Sequence, residues 1–266
     1  IHSDFLVIGS GAAGLFTALH AAEHGNVIVL SKRDADECNS RYAQGGIACT
    51  MTEDDSAALH VQDTLQAGAG LCKPDVVEQI VRQGPGCIRK LMAMGMNFTR
   101  VNDINGTSGS APDNSFDLGR EGGHSVRRIL HAGDVTGKEL ITTLLHECRS
   151  HPNVTIYDEK MAIDLISTRR HVDWQSENRA LGAYVLDINS GTIQTFLSNH
   201  TVLATGGCGK VYLFTSNPDI ATGDGIAMAF RAYAEIRNME FFQFHPTCLY
   251  NPKAKRFLIS EAVRGE

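Results

Sequence analysis

No stretch of eighteen consecutive apolar residues occurs in the 266-residue chain, so no membrane-spanning helix is expected. Paired cysteines are missing too. The seven cysteines (Cys38, Cys49, Cys72, Cys87, Cys148, Cys208 and Cys248) are odd in number, and none stands at C-x-x-C spacing. That argues against a zinc site or a disulfide framework and predicts free thiols in a reducing cytoplasm. Positive charge is not concentrated anywhere. Lys and Arg number 24 against 30 Asp and Glu, a formal net charge of -6, and the basic residues are too scattered to track a nucleic-acid backbone. No basic segment precedes the strand-sized apolar start, Phe5 to Ile8, so no signal peptide is expected. Internal repeats and low-complexity segments are absent as well. What remains is core-forming: 42% hydrophobic residues and a mean hydropathy of -0.14 suit a globular protein with a sizeable core.

Residues 1–32 read as strand, tight turn, helix, strand. Asp4 to Ile8 and Val27 to Leu30 are continuous apolar runs, as a parallel sheet covered on both faces requires, and Leu15, Leu19 and Ala22 between them keep helical spacing. The turn Gly9-Ser10-Gly11-Ala12-Ala13-Gly14 is G-x-G-x-x-G. In this context it predicts a dinucleotide site. The first glycine makes the turn, the second admits a pyrophosphate to the backbone, and the third lets helix and strand pack closely. The helix N-terminus then faces the negative charge. One feature departs from the pattern: Ser31-Lys32-Arg33 stands where an acidic, ribose-binding residue belongs. Taken alone this basic step suggests an NADP 2′-phosphate, and spacing does not decide between NADP and FAD.

Beyond it, Asn39 to Ala48 reads as a loop, and Asp55 to Ala67, Asp75 to Val81 and Gly86 to Met94 as helices. Asn102 to Asn114 reads as an exposed loop. Thr136-Gly-Lys-Glu139 is a capping box opening a helix to about Arg149. Strands follow at Val154 to Tyr157, Met161 to Ile166 and Leu181 to Ile188, then a hairpin turn at Asn189-Ser190-Gly191, then strands at Thr192 to Leu197 and Thr201 to Ala204. The chain stops inside Glu261-Ala-Val-Arg264-Gly-Glu266 with no cap or tail, which reads as a truncation.

Eight ordered segments resemble the fumarate reductase/succinate dehydrogenase flavoprotein family, and most closely its branch that oxidises L-aspartate. They are Val27–Lys32, Ser40–Ala48, Gly119–Ser125, Ala204–Gly207, Asn217–Ile220, Gly223–Met228, Gln243–Thr247 and Ser260–Glu266. The resemblance implies an α/β fold: a Rossmann-like FAD-binding domain over residues 1–236, its parallel sheet carrying inserted antiparallel strands. Residues 237–266 would begin an α+β capping domain. In that family Ser31-Lys32 is the usual end of the second strand, which decides for FAD. The loop Asn39-Ser40-Arg41-Tyr42-Ala43-Gln44-Gly45-Gly46 would lie along the flavin, and Ala204-Thr205-Gly206 and Asp224 would contact the cofactor. Respiratory members attach FAD through a histidine five residues before the position of Gln44. Asn39 stands there, so non-covalent FAD is implied.

The resemblance also assigns the substrate site. Glu121 would pair with the substrate ammonium; otherwise it is a solvated loop carboxylate with Arg120, Arg127 and Arg128 as partners. His245 would bind a substrate carboxylate, against a structural role for an isolated histidine. Ser260 and Glu261 would line the dicarboxylate pocket, and Glu261 with Arg264 would form a proton path, against a plain i,i+3 ion pair. The implied reaction is oxidation of L-aspartate to iminoaspartate, with dioxygen or fumarate as acceptor, as the first step of de novo NAD synthesis. Quinolinate synthase would take the product. A soluble fumarate reductase with non-covalent FAD and a non-enzymatic electron-carrying flavoprotein are the alternatives.

Overall fold

In the computed structural model, which describes residues 1–101, 116–133, 135–245, 248–249 and 257–259, the two apolar runs near the start become parallel neighbours. β1 (His2–Ile8) and β2 (Val27–Leu30) pair from Phe5↔Val27 to Ile8↔Leu30, joined by α1 (Ala12–Ala21). β6 (Val154–Tyr157) pairs parallel with β2, and β9 (Ile193–Leu203) pairs parallel with β1. β8 (Ala180–Asp187) adds antiparallel to β9, and β7 (Lys160–Ser167) adds antiparallel to β8, completing a six-stranded sheet, order β6-β2-β1-β9-β8-β7. This is the α/β arrangement with inserted antiparallel strands that the sequence predicts.

The chain forms two compact units, one of Ile1–Arg41 and Leu144–Ile259, the other including Tyr42–Thr143. In the first unit side-chain alternation divides the core. Leu6, Ile8, Ile28 and Leu30 share a cluster with Leu165, Val185, Phe196 and Met228, the last from α6 (Asp224–Arg231). Val7, Val27 and Val29 are equally buried and point to the opposite face, the side on which alternation leaves α1 to pack with Leu15, Ala18 and Leu19. Leu144 and Cys148 of α4 (Thr136–Ser150) are buried as well, the thiol donating to the Leu15 carbonyl at 3.5 Å. α5 (Thr168–His171) is a single turn leaving β7. β10 (Cys248–Leu249) and β11 (Phe257–Leu258) form a short antiparallel pair.

In the second unit β3 (Ile47–Ala48), β5 (Ile129–Leu130) and β4 (Leu118–Gly119) make a small antiparallel sheet. α2 (Ala57–Ala67) begins at Ser56, whose hydroxyl accepts the Leu59 N–H at 3.1 Å. α3 (Pro74–Ala93) packs with α2.

Four expectations change. The two helices placed at Asp75 to Val81 and Gly86 to Met94 are one, α3, which runs through Pro85. Val81, Ile88 and Leu91 stay in phase across the proline and are all buried, and that continuous stripe outweighs the roughly 3 kcal/mol an internal proline costs. The two strands on either side of Ser198-Asn199-His200 are also one, β9. Its first half pairs with β8 and its second with β1, so the polar residues keep a backbone ladder although their side chains do not enter the core. The capping box does not close: Thr136 is the first helical residue, and its hydroxyl accepts the Ala132 N–H at 3.1 Å. Within the loop at 39–48 lie a 3₁₀ turn, Asn39–Tyr42, and β3. The loop placed at Asn102 to Asn114 lies outside the described residues.

Among the described residues no helix is long and apolar enough to cross a membrane, and no group of three or more His, Cys, Asp or Glu could hold a metal ion.

Phe196 is the largest apolar side chain buried on the sheet, 1% exposed and edge-on to Tyr157. Phe196→Ala should cost about 3–5 kcal/mol. The expected result is a lower denaturant midpoint with an unchanged m-value; an unchanged midpoint would show that the sheet does not depend on this ring.

Candidate functional site: a dinucleotide cleft and a braced loop

At the C-terminal ends of β1, β2 and β9 the backbone makes a close approach. Gly9 leaves β1 with φ +116°, and a Cβ there would stand 2.2 Å from the Ala204 carbonyl oxygen. A Cβ on Gly14 would stand 1.9 Å from the Gly9 carbonyl oxygen. Neither distance is compatible with a side chain, so both glycines are needed to bring the start of α1 against the strand ends. Gly11 differs: a Cβ there would meet only the Ser40 hydroxyl, at 3.4 Å, so its missing side chain opens the approach to the helix. The N-cap residue Gly11 has no side chain to cap α1, and no acidic residue stands in its first turn. Apart from the Ala12 N–H, taken by Ser40, the first-turn amides and the positive end of the dipole are left for a ligand.

The cleft that results has a volume of about 280 Å³. The structure brings to it, from distant parts of the sequence, Gly9 to Ala13, Ser31 and Lys32, Asn39 and Ser40, Ala204 to Gly206, and Asp224. Ser10 and Ser31 are linked hydroxyl to hydroxyl at 3.0 Å, and the Ala12 N–H donates to the Ser40 hydroxyl at 3.2 Å. Arg41 instead pairs with Asp36 at 2.7 Å. Ala43 accepts the Gly137 N–H at 3.0 Å, Tyr42 is exposed, and Gly46 lies against Leu130, whose carbonyl oxygen a Cβ there would meet at 2.3 Å. Gln44 and Gly45, between them, are half-buried.

The basic step after β2 proves to be neutralised. Lys32 forms an ion pair with Asp224 and donates to the Thr222 hydroxyl at 2.7 Å. Arg33 lies 3.5 Å from Glu159. Lys160, also lining the cleft, pairs with Asp187 at 2.5 Å, and its hydrogen bond holds the Asp187 carboxyl below the usual range. A 2′-phosphate would have to compete with these carboxylates; an adenosine ribose with free hydroxyls would not. Thr222 and Lys160 carry no motif, and only the tertiary arrangement reveals them. Cys38 also lines the cleft, and burial pushes its thiol up. Burial likewise pushes Cys49 up to about 11 and Cys148 up to about 12, so both stay protonated and unreactive. All seven cysteines are free thiols.

In the second unit Glu121 stands exposed in the loop between β4 and β5. Arg128, one of the partners suggested for it, is committed elsewhere. Its guanidinium is fully buried, bidentate on Asp55 at 2.9 and 2.8 Å, and 2.7 Å from Asp63. His60 and His124 lie nearby, their rings tilted at 59° with centroids 5.7 Å apart. Burial first, then the Arg128 charge, lower both imidazole pKa values. This polar core was missed, its only sequence signal being His60 and Asp63 one turn apart on a helix. His245 is half-buried beside Tyr212, Phe242 and Phe244, its Nδ1 3.9 Å from the Cys248 sulfur. Ser260, Glu261 and Arg264 lie outside the described residues.

Fold and cleft together define a dinucleotide-binding α/β flavoprotein. The FAD binding domain family matches residues 4–266, and the chain belongs to that family. FAD is its cofactor, and the unhindered α1 terminus and charge-paired cleft fit it. The chain is 52% identical over 263 residues to L-aspartate oxidase 1 of Ralstonia nicotianae, covering 99% of this chain and 48% of that one. It is 50% identical over 263 residues to L-aspartate oxidase of Pseudomonas aeruginosa, with the same coverage. Among solved structures, E. coli quinol fumarate reductase FrdA superposes with a TM-score of 0.87 at 30% identity, over 100% of this chain and 42% of that one. The chain thus spans about half the length of the curated relatives it matches.

Two outcomes follow from this geometry. Gly14→Val should abolish FAD retention, read as loss of flavin absorbance after gel filtration, because its side chain must displace the Gly9 carbonyl; retained flavin would show that the turn can open. The lowered His60 and His124 pKa values mean that the unfolded chain takes up their protons first as pH falls through about 6.5. Stability should therefore be fully present above that value and decline below it. A His60→Gln, His124→Gln double variant should flatten the decline; a slope identical to that of the parent protein would remove these groups from the account.

Proposed function

We propose that the full-length protein is an L-aspartate oxidase, oxidising L-aspartate to iminoaspartate as the first step of de novo NAD biosynthesis. The observation that carries this reading is the similarity, over 99% of the chain, to relatives bearing that name. When bound, FAD would supply the two-electron acceptor for the hydride that leaves Cα, with dioxygen or fumarate as the final oxidant. The chain's own residues bind and orient. The N-terminus of α1 and the Ser31-Lys32 step hold the dinucleotide, with Asn39 to Gly46, Ala204 to Gly206 and Asp224 beside it. An amide at Asn39 cannot form a histidyl-type link, which supports non-covalent attachment. Glu121 pairs with the substrate ammonium, and His245, Ser260 and Glu261 engage the carboxylates, so that binding energy fixes the Cα–H direction. Glu261 and Arg264 carry protons when fumarate is the acceptor. Residues 1–236 belong to the FAD domain and residues from 237 to a capping domain. The reading places the protein in the cytoplasm, with quinolinate synthase consuming the imine.

A soluble fumarate reductase is the second reading, favoured by the superposition on FrdA. An anaerobic titration of the full-length protein separates the two. Bleaching of the flavin bands by L-aspartate and not by succinate is expected, and bleaching by succinate alone would overturn the first reading. Glu121→Gln should raise KM for aspartate by about tenfold or more while sparing fumarate reduction, the signature of a lost charged contact to one substrate. Equal loss of both activities would remove Glu121 from substrate recognition.

A further inference from the structure

The loop that carries Glu121 is tied down from one side by a buried ionic cluster. Its base is closed by the Arg128 N–H donating to the Gly119 carbonyl at 3.1 Å. Within it the Glu121 carbonyl accepts the His124 N–H at 3.2 Å, a turn completed by Gly123 at φ +87°. The next residue is the anchor. Both the N–H and the hydroxyl of Ser125 donate to Asp63 Oδ2, at 2.9 and 2.8 Å, and the same oxygen accepts from Arg128 Nη1 at 2.7 Å. Asp55 in turn holds the other edge of that guanidinium, and His124 Nδ1 lies 3.3 Å from Nη1. Arg128 and Asp55 have no exposed side-chain surface, and that of Asp63 is 10% exposed.

A buried cluster of this kind is a poor way to gain stability. Desolvation of three charges offsets much of the Coulombic attraction, and apolar side chains of the same volume would hold α2 to the small sheet as well. What the cluster supplies and an apolar core would not is direction. Three donors converging on one carboxylate oxygen define where Ser125 sits, and Ser125 ends the turn that Glu121 begins. We propose that Asp63 is a positioning residue for Glu121: through Ser125 and Arg128 it fixes the 121–125 turn and thereby sets where the Glu121 carboxylate meets the substrate ammonium. This deepens the function proposed above and rests on its assignment of Glu121.

The test uses the full-length, FAD-loaded protein with two variants. Asp63→Asn keeps the shape and removes the charge; Ser125→Ala removes one donor and leaves the Arg128 pairs intact, so it remains informative if the first variant folds poorly. KM for L-aspartate should rise about tenfold in Asp63→Asn and a few-fold in Ser125→Ala, the scale of a displaced positioning group, with fumarate reduction unchanged. In a Glu121→Gln background neither substitution should add a further effect. Amide hydrogen exchange at residues 120–125 should accelerate while α2 stays protected. Equal losses with both substrates, additivity in the Glu121→Gln background, or unchanged exchange would each overturn the positioning role. If Glu121→Gln alone leaves KM for aspartate unaltered while exchange still accelerates, the Glu121 assignment fails instead, and the cluster holds a loop with no part in recognition.

Discussion

The rest of the cofactor-binding unit depends on a close approach between backbones. β1 must end against β9, and α1 must start there, within a space that no Cβ can share. Gly9 and Gly14 remove the two atoms that would collide with the Ala204 and Gly9 carbonyls. Once those atoms are gone, the parallel strands β1, β2 and β9 end side by side at one edge, and the amide-rich start of α1 opens onto that edge. The hydrophobic alternation in β1 and β2 stabilises the sheet, but without the turn it would stabilise a sheet with no cleft.

Around that edge the electrostatics are nearly self-contained. Lys32, Arg33 and Lys160 come from the ends of two strands, and each finds an acidic partner in Asp224, Glu159 or Asp187. Pairs that are partly solvated contribute modestly to stability. Their larger consequence is for recognition: the charge that a basic Ser31-Lys32-Arg33 step advertises in one dimension is balanced in three. The second unit uses buried charge differently. Arg128 is withdrawn from solvent and shared between two aspartates, so the flanking loop is held by directional bonds rather than by packing alone.

Much of this was legible in the residues. Val27 to Leu30 matched its strand because a fully buried parallel strand needs a continuous apolar run, and G-x-G-x-x-G lay between strand and helix because only glycine fits there. Continuity was less legible. Pro85 and the polar Ser198-Asn199-His200 step look like breaks locally, yet both are spanned. A buried stripe carries α3 across the first, and a change of ladder partner carries β9 across the second. Thr136 and Glu139 have the spacing of a capping box, but the Thr136 hydroxyl is taken by Ala132.

By itself, then, the sequence determined the α/β class, the dinucleotide turn and the family, because each rests on local rules of backbone conformation, on hydrophobic period, or on the order of eight short segments. Only the tertiary structure decided which charges meet: that Lys32 faces Asp224 across 192 positions, and that Arg128 turns inward to Asp55 and Asp63 rather than outward to Glu121. The reason is physical. Period and propensity act over a few residues, whereas an ion pair is chosen by whichever opposite charge the fold places within a few ångströms, at a separation along the chain that no local pattern records.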